Sequence, residues 1–189
     1  MPSCEFRPIG QVSMIKNFLL VVIIFFLFFT SLRINSEARE EHLKTLAEKK
    51  DKYIGTAVSF QALENDKIYS EVLVDEFSVV TPENELKFNA TEPRRNLFDF
   101  KKADAIVEFA RSRNMKIRGH TLVWYRSDPQ WIKEKKYSKE ELKEILHNHI
   151  KSVVGHYKGK IYCWDVVNEA FESDGSLRHN IWYNIIGPE

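Results

Sequence analysis

One pattern constrains this chain more than any other: short apolar runs rich in β-branched residues alternate with longer stretches whose apolar residues recur at helical spacing. Strands are expected at Tyr53–Val58, Ser78–Val80 (stopped by Thr81-Pro82), Lys116–Trp124 and Ile161–Val167. Between them, helices are expected from about 65 to 76, carrying Ile68, Val72, Leu73 and Phe77, and from about 100 to 113. In the second of these Ala103, Ile106, Val107 and Ala110 form one apolar stripe. Ser138-Lys-Glu-Glu141 reads as a capping box opening a third helix with the stripe Leu142, Ile145, Leu146, Ile150, Val153, Val154 and Tyr157. A turn at Asp174-Gly175 and a last helix from near Leu177 into Ile186 follow. Strand, helix, strand, helix in this order predicts an α/β fold with a parallel sheet, because parallel neighbours need a long crossover and a helix supplies it.

The 189 residues are 43% hydrophobic and 29% charged, enough apolar material for one domain with a core. Net charge is +1 with both signs interspersed, so there is no basic stripe for nucleic acid and no acidic tail for a polycation. Cys4 and Cys163 match no metal-ligand spacing, and Cys163, inside an apolar run, reads as a buried inert thiol. Residues 18–29 are an unbroken apolar run preceded by Lys16 and followed by Ser36-Glu37-Ala38, the form of a secretory signal peptide cut after Ala38. Met14 stands where such a leader would start, so residues 1–13 read as an upstream extension. An uncleaved anchor is the alternative, although the run is short of the roughly 20 apolar residues of a membrane span. The organisation expected is therefore extension and leader over 1–38, a charged linker or first helix over 39–51, and one domain over 52–189 facing the cell exterior.

Polar and aromatic residues gather where three strands end: Glu83, Asn84, Glu85 and Lys87 after the second, His120 and Trp124 after the third, Asn168 and Glu169 after the fourth. In parallel α/β barrels ligands bind at the C-terminal ends of the strands. Trp offers a flat apolar face, and Asn, His, Lys and Glu hydrogen-bond hydroxyls, so the group suits a neutral polyhydroxylated ligand. Each residue has a plainer reading. Glu169 could cap a helix, His120 could be structural, the tryptophans could be packing, and Glu83 to Lys87 a solvated turn. Asp165, inside an apolar strand, must be paired or hydrogen-bonded and is expected to brace its neighbours.

Three segments carry a resemblance. Thr81-Pro-Glu-Asn-Glu-Leu-Lys-Phe88 is similar to a T-x-E-N-x-x-K pattern followed by Trp or Phe, Arg118-Gly-His-Thr-Leu-Val-Trp124 to R-G-H-T-L-V-W, and Trp164-Asp-Val-Val-Asn-Glu169 to W-D-V-V-N-E. With Phe98-Asp-Phe-Lys-Lys-Ala-Asp104, these resemble glycoside hydrolase family 10, best known for endo-β-1,4-xylanases, from about Lys52 onward. The resemblance implies a TIM (β/α)₈ barrel of which this chain carries about the first four βα units. It also implies a secreted, endo-acting, retaining enzyme that cleaves β-1,4-xylan or a related β-1,4-glycan of plant cell walls without metal or organic cofactor. Carried over position by position, Glu169 is the acid/base, Asn168 bonds the sugar 2-OH, and Glu83, Asn84, Lys87, His120 and Trp124 line the substrate subsites. At the end of an apolar strand among aromatic residues, Glu169 is expected to have a raised pKa suited to an acid.

The sequence departs from the family pattern at Tyr125, where His is usual, and at Ser127, where Gln is common. The nucleophilic Glu of the seventh strand has no counterpart in this chain, and Glu172 and Asp174, on the same loop as Glu169, are poor substitutes. About 150 residues after the leader fall short of the roughly 250 of a typical barrel, so four strands would leave two edges open. The polypeptide alone is therefore expected to be poorly soluble or to pair half on half, and to be inactive. The rival readings are a non-catalytic remnant and a surface-tethered glycan-binding protein, the latter touching membrane only through an uncleaved leader.

Overall fold

A computed structural model describes residues 41–188, so the leader lies outside the described residues. Four strands, β1 (Gly55–Val58), β2 (Val79–Pro82), β3 (Lys116–Val123) and β4 (Cys163–Val167), form one parallel sheet in the order 1-2-3-4. Helix α1 (Leu43–Glu48) precedes β1, and α2 (Phe60–Asn65) and α3 (Lys67–Glu76) join β1 to β2. The next crossover holds α4 (Phe88–Thr91) and α5 (Lys101–Ser112), and the one after it α6 (Gln130–Lys133) and α7 (Lys139–His156). Helix α8 (Ile181–Ile186) follows β4. This is the wall of a (β/α) barrel seen over four units.

The helices form where their ends can be satisfied. Ser138 accepts from the Glu141 amide and Glu141 from the Ser138 amide, the expected capping box of α7. Asp66 caps α3 and Asn180 caps α8. Ala103, Ile106, Val107 and Ala110 of α5 are all buried, as are Leu142, Ile145 and Val153 of α7. They close over Val58, Val80 and Ile117, which project from β1, β2 and β3 on the same side of the sheet. Between α4 and α7 lies a polar pair that the sequence reading did not find. His149 Nδ1 is 3.0 Å from Glu92 Oε2, both residues are buried, and the imidazole stacks on Phe88 with centroids 3.5 Å apart.

The register assigns the two faces of the sheet. Gly55, Val79 and Lys116 are aligned, as are Thr56, Val80 and Ile117, so Ile117, Gly119 and Trp164 face the helices while Arg118, His120, Cys163 and Asp165 face the barrel axis. A Cβ on Gly119 would lie 2.2 Å from the Trp164 ring, so only glycine lets the indole lie across β3.

Several expectations are corrected here. Cys163 is exposed, not buried, because it points to the axis beside Arg118 rather than toward the helices. Ile68 and Val72 are 71% and 47% exposed while Leu73 is buried and Tyr69 packs on the core: the helical period was right and its phase one residue off. The sequence reading also missed α2, folded directly behind β1, and placed the start of α8 about four residues early, since the Asn180 cap sets it. Strand β2 runs on through Thr81 and Pro82 instead of stopping there; Pro82 lacks only a donor that an end position does not need.

Candidate active site

Glu83, Asn84 and Lys87 lie beyond the C-terminal end of β2, Trp124 just beyond β3 and Asn168 and Glu169 just beyond β4, while His120 and Asp165 lie within β3 and β4. Beyond β2, the Glu83 amide donates to Val58 O (2.9 Å), which ties this loop to the end of β1. Lys87 Nζ donates to Asn84 Oδ1 (2.8 Å) and stands 4.9 Å from the centre of the Trp124 ring. Asn84, Lys87, Trp124 and Arg126 share a cavity of about 410 Å³. The indole is thus both wall and platform of a space with a cation and an amide on its rim.

On the axial face the register sets His120 opposite Asp165, and Arg118 one pair below. Asp165 Oδ1 accepts from Arg118 Nε (3.0 Å) and Nη2 (2.6 Å), and Oδ2 pairs with His120 Nδ1 (2.9 Å). Partial burial pushes this carboxyl up, but the hydrogen bonds from Arg118 and His120 outweigh it and hold Asp165 below the usual carboxylate range. The bracing role expected of Asp165 is therefore present. One of its consequences is that His120 keeps Nε2 free of this pairing. Between His120 and Val123 the β3–β4 register shifts, and the strand end is re-aimed where the cavity opens.

After β4 the chain turns at Glu169, whose φ of +52° is in the left-handed region. The turn is held by Arg178: Nε donates to Glu169 O (3.0 Å), Nη2 to Phe171 O (3.1 Å), and Nη1 meets Glu172 Oε2 at 2.9 Å. The Asn168 amide donates to Val123 O (2.9 Å), and its side chain lines a second cavity, about 380 Å³ and mostly apolar, between β4 and α8. Trp124 lines this cavity as well, so Asn168 and the Lys87 space adjoin the same indole. Asp174 accepts from Ser176, and with Glu172 engaged by Arg178 neither is offered as a partner for Glu169.

The electrostatics of Glu169 correct a further expectation. Its pKa is lowered, not raised: the indole N–H of Trp124 acts first, against a smaller desolvation, followed by the charge of Arg126, the Tyr125 hydroxyl and Arg178. The Trp124 N–H is buried without a closed hydrogen bond, so it favours the carboxylate as a dipole at longer range. Adjacent apolar residues in the sequence do not desolvate a side chain that leaves the strand end toward solvent. Tyr125, Arg126 and Arg178 were not among the residues first singled out; the only sequence signal was the departure at Tyr125. Among the described residues no group of His, Cys, Asp and Glu could hold a metal ion, and no helix is long and apolar enough to cross a membrane.

Comparison with known proteins gives the family. The family model described as Glycosyl hydrolase family 10 matches residues 42–189. The chain belongs to glycosyl hydrolase family 10. Family relatives include endo-1,4-beta-xylanase B of Thermotoga neapolitana, 44% identical over 149 residues, which are 78% of this chain and 43% of that protein. Another is endo-1,4-beta-xylanase 2 of Claviceps purpurea, 45% identical over 72% of this chain and 42% of that protein. Xylanase 10B from Thermotoga petrophila RKU-1, solved in complex with xylobiose, superposes with a TM-score of 0.76 at 44% identity, covering 80% of this chain and 47% of that one. The native enzyme from Thermotoga maritima gives 0.75 at 45% identity, covering 78% and 46%. Against these family 10 proteins the chain spans a little under half of their length. The TIM barrel fold follows from family membership, and the four-stranded parallel sheet is its first four units.

Proposed function

We propose that this chain supplies the acid/base half of an endo-acting, retaining glycoside hydrolase that cleaves β-1,4-xylan or a closely related β-1,4-glycan. The observation that carries the reading is the convergence of Lys87, Asn84, Trp124, His120 and Glu169 on the C-terminal ends of three adjacent strands, with Asp165 bracing the middle one. The xylanase names of the relatives and the xylobiose bound by one of them support the substrate class.

In this reading a xylosyl ring rests against Trp124 while Lys87, Asn84, Glu83 and His120 bond its hydroxyls, and Asn168 bonds the 2-OH next to the scissile bond. Glu169, protonated, gives its proton to the leaving oxygen; a second, ionised carboxylate attacks C1 from the other face and forms the glycosyl-enzyme ester. Glu169, now ionised, then takes a proton from the water that hydrolyses the ester. The second carboxylate belongs to the seventh strand of the family pattern, outside the residues described here. Asp165 does not touch substrate in this scheme. It fixes the tautomer and direction of His120 by taking its Nδ1 side.

The apolar run at 18–29 and the basic residue before it support export, so that the enzyme meets polysaccharide outside the cell. The test is to express the complete reading frame containing these residues and assay it on β-1,4-xylan beside Glu169→Gln. Xylo-oligosaccharide release that falls by about 10²–10⁴-fold in the variant is expected. A variant as active as its parent removes Glu169 from the reaction, and a stable full-length protein without hydrolysis leaves the glycan-binding remnant as the reading.

A further inference from the structure

Tyr125 is held between two guanidinium groups. Arg126 Nε donates to its hydroxyl (2.8 Å), and Arg178 stands 4.6 Å from the centre of its ring. The two arginines differ in what remains of them. Arg178 donates to two backbone carbonyls and is paired with Glu172, so its charge is spent on holding the Glu169 turn. Arg126 reaches 4.0 Å from Glu169 Oε2, has a side chain 63% exposed, and is otherwise held by the Tyr125 hydroxyl and by the Trp124 and Tyr125 rings, whose centres lie 5.9 and 5.5 Å from its guanidinium carbon. An arginine side chain free to wander would be averaged by solvent; one pinned through Nε presents its charge at a fixed place.

We infer that Arg126, clamped by the Tyr125 hydroxyl, is a positioning residue for Glu169: it holds the carboxylate at the mouth of the barrel and favours its ionised form over the proton-donating one. The inference rests on the reading of Glu169 as the acid/base. The groups facing Glu169 are Trp124, Tyr125 and Arg126 from the loop after β3 and Arg178 with its partner Glu172 from its own loop. Of these, Arg126 is the cation not neutralised by a carboxylate of its own. A cation at this distance stabilises the carboxylate over the acid, adding to the Trp124 indole N–H, which is the larger influence on Glu169. Tyr125, the departure from the family pattern noted above, thus serves as the fixed arm of the clamp.

The experiment uses the full-length protein with glutamate side-chain carboxyls labelled with ¹³C, the Glu169 signal being identified by its loss in Glu169→Gln. Its titration midpoint is compared among wild type, Arg126→Gln, Arg126→Lys and Tyr125→Phe, together with the basic limb of kcat/KM on xylan, which reports the acid of the free enzyme. Arg126→Gln should move the midpoint and the basic limb to higher pH together, and Arg126→Lys should return both most of the way. Tyr125→Phe, which frees the guanidinium, should move them in the same direction by less, and 1 M salt should shrink all the differences. An unmoved midpoint in Arg126→Gln overturns the inference, as does a shift that Arg126→Lys fails to reverse. If Arg126→Gln does not fold, an unmoved Tyr125→Phe overturns it equally. Absence of xylan hydrolysis in the wild type counts against the function proposed above, while the titration still decides the role of Arg126.

Discussion

Two carboxyls a few residues from the site answer to pH in opposite directions. Asp165 is held low by Arg118 and His120, so it stabilises the fold at neutral pH and loses that contribution as pH falls from the ordinary carboxyl range through its own lower value. Asp128 is raised to about 6, first by burial, with the Trp182 N–H (2.9 Å) and Lys133 acting the other way. Its folded form holds a proton that the unfolded chain has already released. The resulting cost is absent below pH ~4, builds up to pH ~6 and stays constant above, about 3 kcal/mol at most. Asp128→Asn keeps an oxygen for Trp182 without the charge, so it should be more stable than the parent at pH 8 and lose that advantage by pH 4. Urea denaturation at the two pH values measures this. Of these residues the sequence exposed Asp165, because a carboxylate in an apolar strand demands partners. Asp128 looks like any loop aspartate until Trp182, 54 residues later, is folded onto it.

At the scale of elements, local signals were legible where one residue type has one good structural use. The α7 capping box and the α5 stripe stand where spacing put them. Ser138→Ala should cost about 1 kcal/mol and lower the thermal midpoint by a few degrees, read by calorimetry on the full-length protein. The phase of α3 and the exposure of Cys163 were not legible, since each depends on which side of an element meets the rest of the molecule. The direction of the Glu169 shift was misread for the same reason: its neighbours in sequence are apolar, whereas its neighbours in space are Trp124, Arg126 and Arg178. The three motifs were legible as neighbours, because residues toward the same ends of adjacent parallel strands are brought together by any parallel barrel.

For the whole molecule, β1 and β4 each have one hydrogen-bonded neighbour among the described residues, and Tyr162, Val166 and Val167 are more than half exposed. A barrel closes such edges by pairing every strand on both sides. The 189-residue polypeptide in isolation should therefore self-associate or precipitate and release no sugar from xylan. Light scattering after gel filtration and a reducing-sugar assay check both, and a monodisperse, active monomer is the contrary result.

The opposed faces of β3 have a consequence for how such chains can diverge. Arg118 and His120 carry the polar pairing with Asp165 on the axial face, while Ile117 and Gly119 carry the packing against the helices and Trp164, so alternate residues of one strand answer to different demands. A single inserted or deleted residue within Lys116–Val123 exchanges the two sets at once, placing Arg118 against the helices and the Trp164 contact on the axis. A change in residue count between strands, by contrast, leaves the parity of the strands intact.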